Sequence, residues 1–155
     1  MKLRTGTYTI SSHDPPTMKV VLQDSAEHAE VTLANVDKKN NKAKWIVAAL
    51  KNGKYTLENQ EYHGKYASKA DSGVVGATLP QQWDIQETTE SNSYRFIVYF
   101  LPHWPRQWRL LTPVFFPSIS DDGKSGFWSI SGSSVSIVIE LSPGAAWEFT
   151  RDNSS

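Results

Sequence analysis

The fold is decided by the stretch Trp45-Ile46-Val47-Ala48-Ala49-Leu50-Lys51-Asn52-Gly53-Lys54-Tyr55-Thr56-Leu57-Glu58-Asn59. It contains a strand-like segment that starts with Trp, a polar turn with Asn and Gly, and a second strand-like segment that starts with Tyr. Apolar and polar residues alternate on both sides of the turn, which is the sequence signal of a β-hairpin. The stretch therefore predicts two paired antiparallel strands.

The same arrangement recurs elsewhere in the chain. Trp83-Asp84-Ile85 is followed by a polar run over residues 87–93 and then by Tyr94-Arg95-Phe96-Ile97. A third copy is divided between the termini, with Trp147-Glu148-Phe149-Thr150 near the C-terminus and Thr7-Tyr8-Thr9-Ile10 near the N-terminus. We therefore expect the two ends of the chain to lie side by side.

Three such units, with the repeat running through the termini, are typical of an all-β β-trefoil, in which three four-stranded units surround a pseudo-threefold axis. We predict a single domain of this fold over residues 1–155. The alternative is an all-β chain whose aromatic residues recur at strand spacing without a threefold repeat. In the β-trefoil, each unit opens with a Tyr and begins its last strand with a Trp, and all six residues are buried: Tyr8, Tyr55, Tyr94, Trp45, Trp83 and Trp147.

The third unit is longer than the others. The spacing from Tyr to Trp is 37 positions in the first unit, 28 in the second and 53 in the third. The excess is predicted to lie in Val98 to Pro117, between the first two strands of the third unit, and without these 20 residues the spacing is 33. One interpretation is a native apolar insertion that packs on the barrel or binds a partner. The other is a translated intron, because Val codons begin with GT and Val-Phe-Phe-Pro can encode a pyrimidine tract.

The composition excludes several classes of protein. Basic and acidic residues both number 16, so the formal net charge is zero and no basic surface for nucleic acid is expected. The chain has no cysteine, and hence no disulfide or thiolate metal site. No apolar leader precedes the first strand, and proline and charged residues interrupt the most apolar stretch. We expect a cytoplasmic monomer that is not inserted in a membrane.

No constellation of residues points to catalysis. The four histidines, His13, His28, His63 and His103, lie in different predicted loops and lack the spacing of metal ligands. No glycine-rich phosphate-binding motif is present either. The sequence therefore predicts a protein that is not an enzyme, with no metal and no cofactor.

Several segments together resemble the fungal β-trefoil serine peptidase inhibitors of the mycospin type. The resemblance leaves out residues 98–117, and it is carried by these segments: Gly6-Thr7-Tyr8-Thr9-Ile10, Lys51-Asn52-Gly53-Lys54-Tyr55-Thr56-Leu57-Glu58-Asn59, His63-Gly64-Lys65-Tyr66-Ala67, Val74-Val75-Gly76, Pro80-Gln81-Gln82-Trp83-Asp84-Ile85, Glu87-Thr88, Phe127-Trp128 and Trp147-Glu148-Phe149.

The resemblance implies a fungal defence protein that blocks a serine peptidase with one exposed, preorganised loop. The inhibitory loops of the family correspond to Asp24, Ser25, Ala26, Glu27, His28 and Ala29, and to Ser142, Pro143 and Gly144. Neither loop has Lys or Arg, so trypsin is not the expected target. Ala26 or Glu27 would enter the primary pocket of a peptidase that prefers small or acidic residues. The candidates in other loops are Lys51, Lys65 and Lys69.

A second interpretation is a carbohydrate-binding trefoil of the ricin-B type, with a glycan as its partner. That family repeats Gln-x-Trp in each unit, whereas this chain has the motif at Gln81 to Trp83 and has Ala43 and Ala145 at the matching positions of the other units. A third interpretation is a relative that keeps the scaffold and has lost both activities, because a fold does not by itself specify a function.

Overall fold

The computed structural model describes residues 3–12, 18–70, 73–87, 93–99, 125–130, 137–140 and 146–153. These residues form β-strands and one short 3-10 helix, Asn41–Ala43. The strands are β1 Gly6–Ser12, β2 Lys19–Leu22, β3 Ala29–Ala34, β4 Lys44–Ala49, β5 Tyr55–Asn59, β6 Tyr66–Lys69, β7 Val74–Ala77, β8 Asp84–Glu87, β9 Ser93–Tyr99, β10 Ser125–Ile130, β11 Ile137–Glu140 and β12 Trp147–Arg151.

The hairpin predicted from the decisive stretch is confirmed. β4 and β5 pair antiparallel from Trp45 opposite Asn59 to Ala49 opposite Tyr55. In the turn between them, Gly53 has a φ of 83° and donates its backbone N–H to the carbonyl of Leu50 at 3.0 Å. Glycine adopts this left-handed conformation without the steric cost that a Cβ would add.

Six strands form a closed ring. β1 pairs with β4, β4 with β5, β8 with β9, β9 with β12, and β12 with β1. The ring is completed by a bridge between Tyr55 of β5 and Trp83 just before β8. Since β1 and β12 pair from Tyr8 opposite Arg151 to Ser12 opposite Trp147, the prediction that the termini are adjacent is confirmed. Closure leaves this barrel without an exposed sheet edge.

The other six strands form three hairpins, β2–β3, β6–β7 and β10–β11. Each hairpin joins the barrel through its first strand, by the pairs β1–β2, β5–β6 and β9–β10. β3 also pairs with β7, and β11 contacts both of them. At this junction a Cβ on Gly76 would stand 2.6 Å from Cδ1 of Leu22, so glycine permits the close approach of the hairpins.

The core is organised by the three Tyr and three Trp residues that define the repeat. Each Tyr lies opposite the Trp of its own unit in neighbouring barrel strands, and the three indoles are fully buried. Each indole Nε1–H also donates to a backbone carbonyl in the second strand of its unit, which satisfies a polar group in the core. The opposed pairs are Tyr8 and Trp45, Tyr55 and Trp83, and Tyr94 and Trp147. The indole of Trp45 donates to the Val20 carbonyl at 2.9 Å, that of Trp83 to Ala67 at 2.9 Å, and that of Trp147 to Trp128 at 3.4 Å.

The strand register measures the excess length of the third unit. Opposed residues in the first and second strands are Ser11 and Lys19 in the first unit and Glu58 and Tyr66 in the second, both 8 positions apart. The equivalent pair in the third unit, Ile97 and Phe127, is 30 positions apart, an excess of 22 (30 minus 8). β9 includes Val98 and Tyr99, the first two residues of the predicted insertion. Residues 100–117 lie outside the described residues, and both interpretations of this segment stay predictions.

Candidate functional site

Two surface segments are held side by side by one buried polar side chain, Asn59 at the end of β5. Its Nδ2 donates to the carbonyl of Lys42 in the 3-10 helix at 2.9 Å. Its Oδ1 accepts the backbone N–H groups of Glu61 and Tyr62, at 3.0 and 3.1 Å, in the loop that follows β5. Asn59 is fully buried and has partners for both polar atoms, so it fixes these segments relative to each other.

A third segment, the start of the β2–β3 loop, completes a group of five residues that we call the Tyr62 site: Gln23, Asp24, Lys42, Glu61 and Tyr62. Lys42 Nζ donates to the carbonyl of Gln23 at 3.2 Å, and the Tyr62 hydroxyl approaches the same oxygen at 3.5 Å. Lys42 Nζ also lies 5.6 Å from the centre of the Tyr62 ring, a distance typical of a cation–π contact.

The Tyr62 site is open to solvent on its polar side. Tyr62 is half-buried and packs against the hydrophobic core, while Gln23, Asp24 and Glu61 are exposed. The interaction with the Tyr62 hydroxyl, followed by the nearby charges of Glu61 and Asp24, raises the pKa of Lys42 above its usual value. The site thus has an anchored aromatic ring, one ammonium group and two carboxylates.

The predicted peptidase-binding loop, Asp24 to Ala29, is an exposed turn between β2 and β3, and Ala29 is already the first residue of β3. The Ala26 carbonyl accepts the backbone N–H of Ala29 at 3.1 Å, and Asp24 Oδ1 accepts that of Ala26 at 2.7 Å. His28 has a φ of 65° and donates its backbone N–H to Gly76 of β7 at 2.9 Å. Ser25 is exposed in the same turn. The loop is therefore well supported, but its tip is a tight turn.

Glu27 makes contacts that the sequence did not suggest. Its carboxylate accepts hydrogen bonds from Lys65 Nζ at 2.6 Å, from the Thr78 hydroxyl at 2.6 Å and from the Thr78 backbone N–H at 3.0 Å. The hydrogen bonds from Lys65 and Thr78 lower the pKa of Glu27 to about 2. Glu27 therefore joins the first unit to the second, and the structure brings together Glu27 and Lys65, two residues predicted for separate loops.

Lys51 and Lys69, the other described candidates, lie in different elements from Glu27. Lys51 is exposed in the β4–β5 turn, at the opposite end of β5 from Tyr62. Lys69 is half-buried in β6, and its backbone N–H donates to Oε1 of Gln81 at 2.8 Å. The candidate loop formed by Ser142, Pro143 and Gly144 lies outside the described residues.

The Gln-x-Trp motif is part of the scaffold. Gln81 satisfies the backbone of Lys69, and Trp83 is fully buried with its Nε1–H on the Ala67 carbonyl at 2.9 Å. At the matching position of the first unit, Ala43 is buried, and Ala145 lies outside the described residues. Both side chains of the motif are thus engaged in internal hydrogen bonds.

Sequence reasoning missed the residues that form the Tyr62 site, apart from Asp24. One signal was available, because the alternation of Tyr55, Leu57 and Asn59 along β5 places Asn59 inward. A buried Asn must find hydrogen-bond partners, and here they are the backbones of both adjoining segments. The contact between Lys42 and Tyr62 spans 20 positions (62 minus 42) and leaves no local pattern.

Comparison with known proteins shows the fold. No protein-family model and no curated protein sequence matches the chain. Among solved structures, the Rhizoctonia solani agglutinin aligns with a TM-score of 0.67 and 17% identity, over 98% of this chain and 99% of the agglutinin. The Macrolepiota procera ricin B-like lectin, solved in complex with lactose, aligns with a TM-score of 0.66 and 14% identity, over 98% of this chain and 99% of the lectin. The chain is a β-trefoil.

The β-trefoil also resembles one part of a much larger protein. A mosquitocidal holotoxin aligns with a TM-score of 0.72 and 15% identity over 97% of this chain, which spans 18% of the length of the holotoxin chain. In the described part of the β-trefoil, no helix is long and apolar enough to cross a membrane. Within the same residues, no group of three or more His, Cys, Asp or Glu side chains is arranged to hold a metal ion.

Proposed function

We propose that the β-trefoil binds a carbohydrate at the Tyr62 site. The observation that carries this proposal is the convergence of three surface segments on one anchored aromatic ring, which has the Lys42 ammonium group over it. Asn59 fixes two of these segments, so little ordering of the backbone would accompany binding.

The groups of the Tyr62 site suit the chemistry of a sugar. A pyranose presents hydroxyl groups that both donate and accept hydrogen bonds, and its C–H face is apolar. The carboxylates of Asp24 and Glu61 only accept hydrogen bonds, whereas the Lys42 ammonium group only donates them. The Tyr62 ring offers an apolar surface beside these polar groups.

The structural relatives support a carbohydrate as the ligand. Two fungal proteins that share the fold along nearly their whole length are an agglutinin and a ricin B-like lectin, and the second was solved with lactose. Their identity to this chain is 17% and 14%, so the proposal rests on the side chains of the Tyr62 site. Lactose is the first probe to use.

The test is titration calorimetry with lactose, together with a screen of immobilised neutral glycans. Tyr62→Ala removes the ring, and Tyr62→Phe keeps the ring and removes the hydroxyl. We expect Tyr62→Ala to weaken binding about tenfold or more, and Tyr62→Phe to retain most of it, because the hydroxyl contact at 3.5 Å is weak.

Lys51→Ala is the matched control, since Lys51 is an exposed lysine at the far end of β5. It should bind as the unmodified protein does. Equal affinity of the unmodified protein and Tyr62→Ala would contradict the proposed site. Absence of binding to every glycan would contradict the proposed function.

A second candidate function is inhibition of a serine peptidase by the Asp24 to Ala29 loop, in a defensive role. It is favoured by the support of this exposed loop on the second unit through Glu27 and His28. Because the Glu27 carboxylate is bound by Lys65 and Thr78, Ala26 is the better candidate for the primary pocket of the peptidase.

A peptidase panel tests this second candidate. Ala26→Arg should shift inhibition toward trypsin-like enzymes, whose primary pocket holds a carboxylate. The control is Lys51→Ala, which should leave the inhibition profile unchanged. If Ala26→Arg inhibits the same peptidases as the unmodified chain with the same potency, the Asp24 to Ala29 loop is not the inhibitory loop.

A further inference from the structure

We propose that Asn52, in the turn between β4 and β5, is a site of spontaneous deamidation whose rate in the folded protein is set by its contact with Gln82. Of the seven asparagines in the chain, Asn52 alone is followed by a glycine, Gly53. The turn lies at the opposite end of β5 from Tyr62, so this modification site is separate from the Tyr62 site.

Deamidation uses the backbone nitrogen of the residue that follows the asparagine. The Gly53 nitrogen loses its proton to a base in the solvent and attacks Cγ of Asn52, so a bond forms between these two atoms. The Cγ–Nδ2 bond then breaks, and Nδ2 leaves as ammonia with a proton taken from water. Water opens the resulting five-membered imide at Cγ, which gives Asp, or at the backbone carbonyl of residue 52, which gives isoaspartate.

The turn presents the reacting atoms to solvent. Asn52 and Gly53 are exposed, and a Cβ built on Gly53 would meet no heavy atom within 4 Å. Water and base therefore have free access to the Gly53 nitrogen. Asn59, by contrast, is fully buried, and both polar atoms of its side chain have backbone partners.

One hydrogen bond in the turn favours the reaction. Attack on Cγ places negative charge on Oδ1 of Asn52, and this atom already accepts the backbone N–H of Lys54 at 3.1 Å. A donor that is in place before the charge develops stabilises such an oxyanion without further reorganisation. The turn is thus arranged to assist the first step of deamidation.

Two other hydrogen bonds restrain the reaction. The Gly53 N–H donates to the carbonyl of Leu50 at 3.0 Å, so the proton must be removed from a bonded donor. Nδ2 of Asn52 donates to Oε1 of Gln82 at 2.8 Å, and this contact is lost when Nδ2 departs as ammonia. Because Gln82 lies 30 positions away, just before Trp83 and β8, only the folded chain supplies this second restraint.

Three glutamine variants separate the role of Gln82 from general effects. Gln82→Ala removes the acceptor for Nδ2, and a neutral hydrogen bond of ordinary strength corresponds to about twofold to tenfold in rate. Gln82→Glu keeps an acceptor oxygen at the same position and should convert no faster than the unmodified protein. Gln86→Ala is the matched control, because Gln86 is an exposed glutamine in β8.

The experiment follows conversion at residue 52 in mildly alkaline buffer, below the midpoint of thermal unfolding. Mass spectrometry of the peptide that contains residue 52 measures deamidation, and enzymatic methylation of isoaspartate identifies the second product. We expect Asn52 to convert before any other asparagine, and about tenfold more slowly in the folded protein than in urea, because unfolding removes the bonds from Gly53 and to Gln82. Folded Gln82→Ala should convert about twofold to tenfold faster than the unmodified protein.

A measurement in urea guards against an indirect effect on stability. All the variants should convert at the same rate in urea, where the contact with Gln82 is absent. Equal rates of the folded unmodified protein and folded Gln82→Ala would overturn the proposal. So would an acceleration in Gln82→Ala that persists in urea, or earlier conversion of a different asparagine in the folded protein.

Discussion

Tyr55 and Trp83 lie side by side in the barrel wall and exchange two backbone hydrogen bonds, with N to O distances of 2.9 Å from Tyr55 and 2.8 Å from Trp83. The same opposition of Tyr and Trp occurs in the other two units, at Tyr8 and Trp45 and at Tyr94 and Trp147. The threefold order of Tyr and Trp in the sequence is thus a threefold set of contacts between barrel strands.

Trp83→Phe should destabilise the β-trefoil more than Trp128→Phe does. The Nε1 of Trp83 donates to the buried Ala67 carbonyl, whereas the buried Nε1 of Trp128 has no partner among the described residues. Loss of a buried hydrogen bond leaves its carbonyl unsatisfied and costs about 1–3 kcal/mol, while removal of an unpartnered N–H relieves a similar penalty. Urea unfolding of both variants measures the difference, and equal losses would contradict this assignment of hydrogen bonds.

The ion pair of Glu27 should stabilise the β-trefoil in a defined pH range. The pKa of Glu27 is about 2 in the folded protein and 4.5 in a model compound. Because the pKa of Glu27 is lower in the folded than in the unfolded chain, its ionised carboxylate adds to the free energy of unfolding above about pH 4.5. This contribution is lost as the pH falls from about 4.5 to about 2. Glu27→Gln should remove this part of the pH dependence, as measured by unfolding midpoints between pH 5 and pH 2.

Lys65→Gln provides the complementary measurement. It removes the donor that contributes most to the lowered pKa, so an NMR titration should find the Glu27 carboxyl titrating at a higher pH. The Thr78 donors remain in this variant, and a partial shift is expected. An unchanged Glu27 pKa would show that Lys65 does not hold this carboxylate.

The 22 excess residues of the third unit should be dispensable for folding. Deletion of residues 99–120 joins Val98 to Asp121 and separates Ile97 from Phe127 by the 8 positions found in the other units. We expect the shortened chain to fold with an equal or higher midpoint of thermal unfolding, because a shorter loop lowers the entropy cost of closure by about 1 kcal/mol.

If the shortened chain fails to fold while the full chain folds well, residues 99–120 are required for the folded structure. The intron interpretation has a separate test in the transcript. It predicts that the mature message lacks the 60 nucleotides (20 times 3) that encode Val98 to Pro117. A transcript that retains them would support a native insertion.

The fold could be predicted because its determinants are local in sequence and repeated. Alternation around the Lys51 to Lys54 turn predicted a hairpin, and the recurring Tyr and Trp residues predicted the barrel positions. The candidate site could not be predicted in the same way. Glu27 meets Lys65 across 38 positions, and Lys42 meets Tyr62 across two units, so neither contact leaves a periodic pattern.

The most direct test of carbohydrate binding at the Tyr62 site is an NMR titration of the isotopically labelled protein with lactose. We predict that the amide signals which shift belong to Gln23, Asp24, Lys42, Glu61 and Tyr62, and that the Lys51 to Lys54 turn at the other end of β5 is unaffected. Saturable shifts confined to a different surface, or no shift with lactose and with every neutral glycan tested, would contradict it.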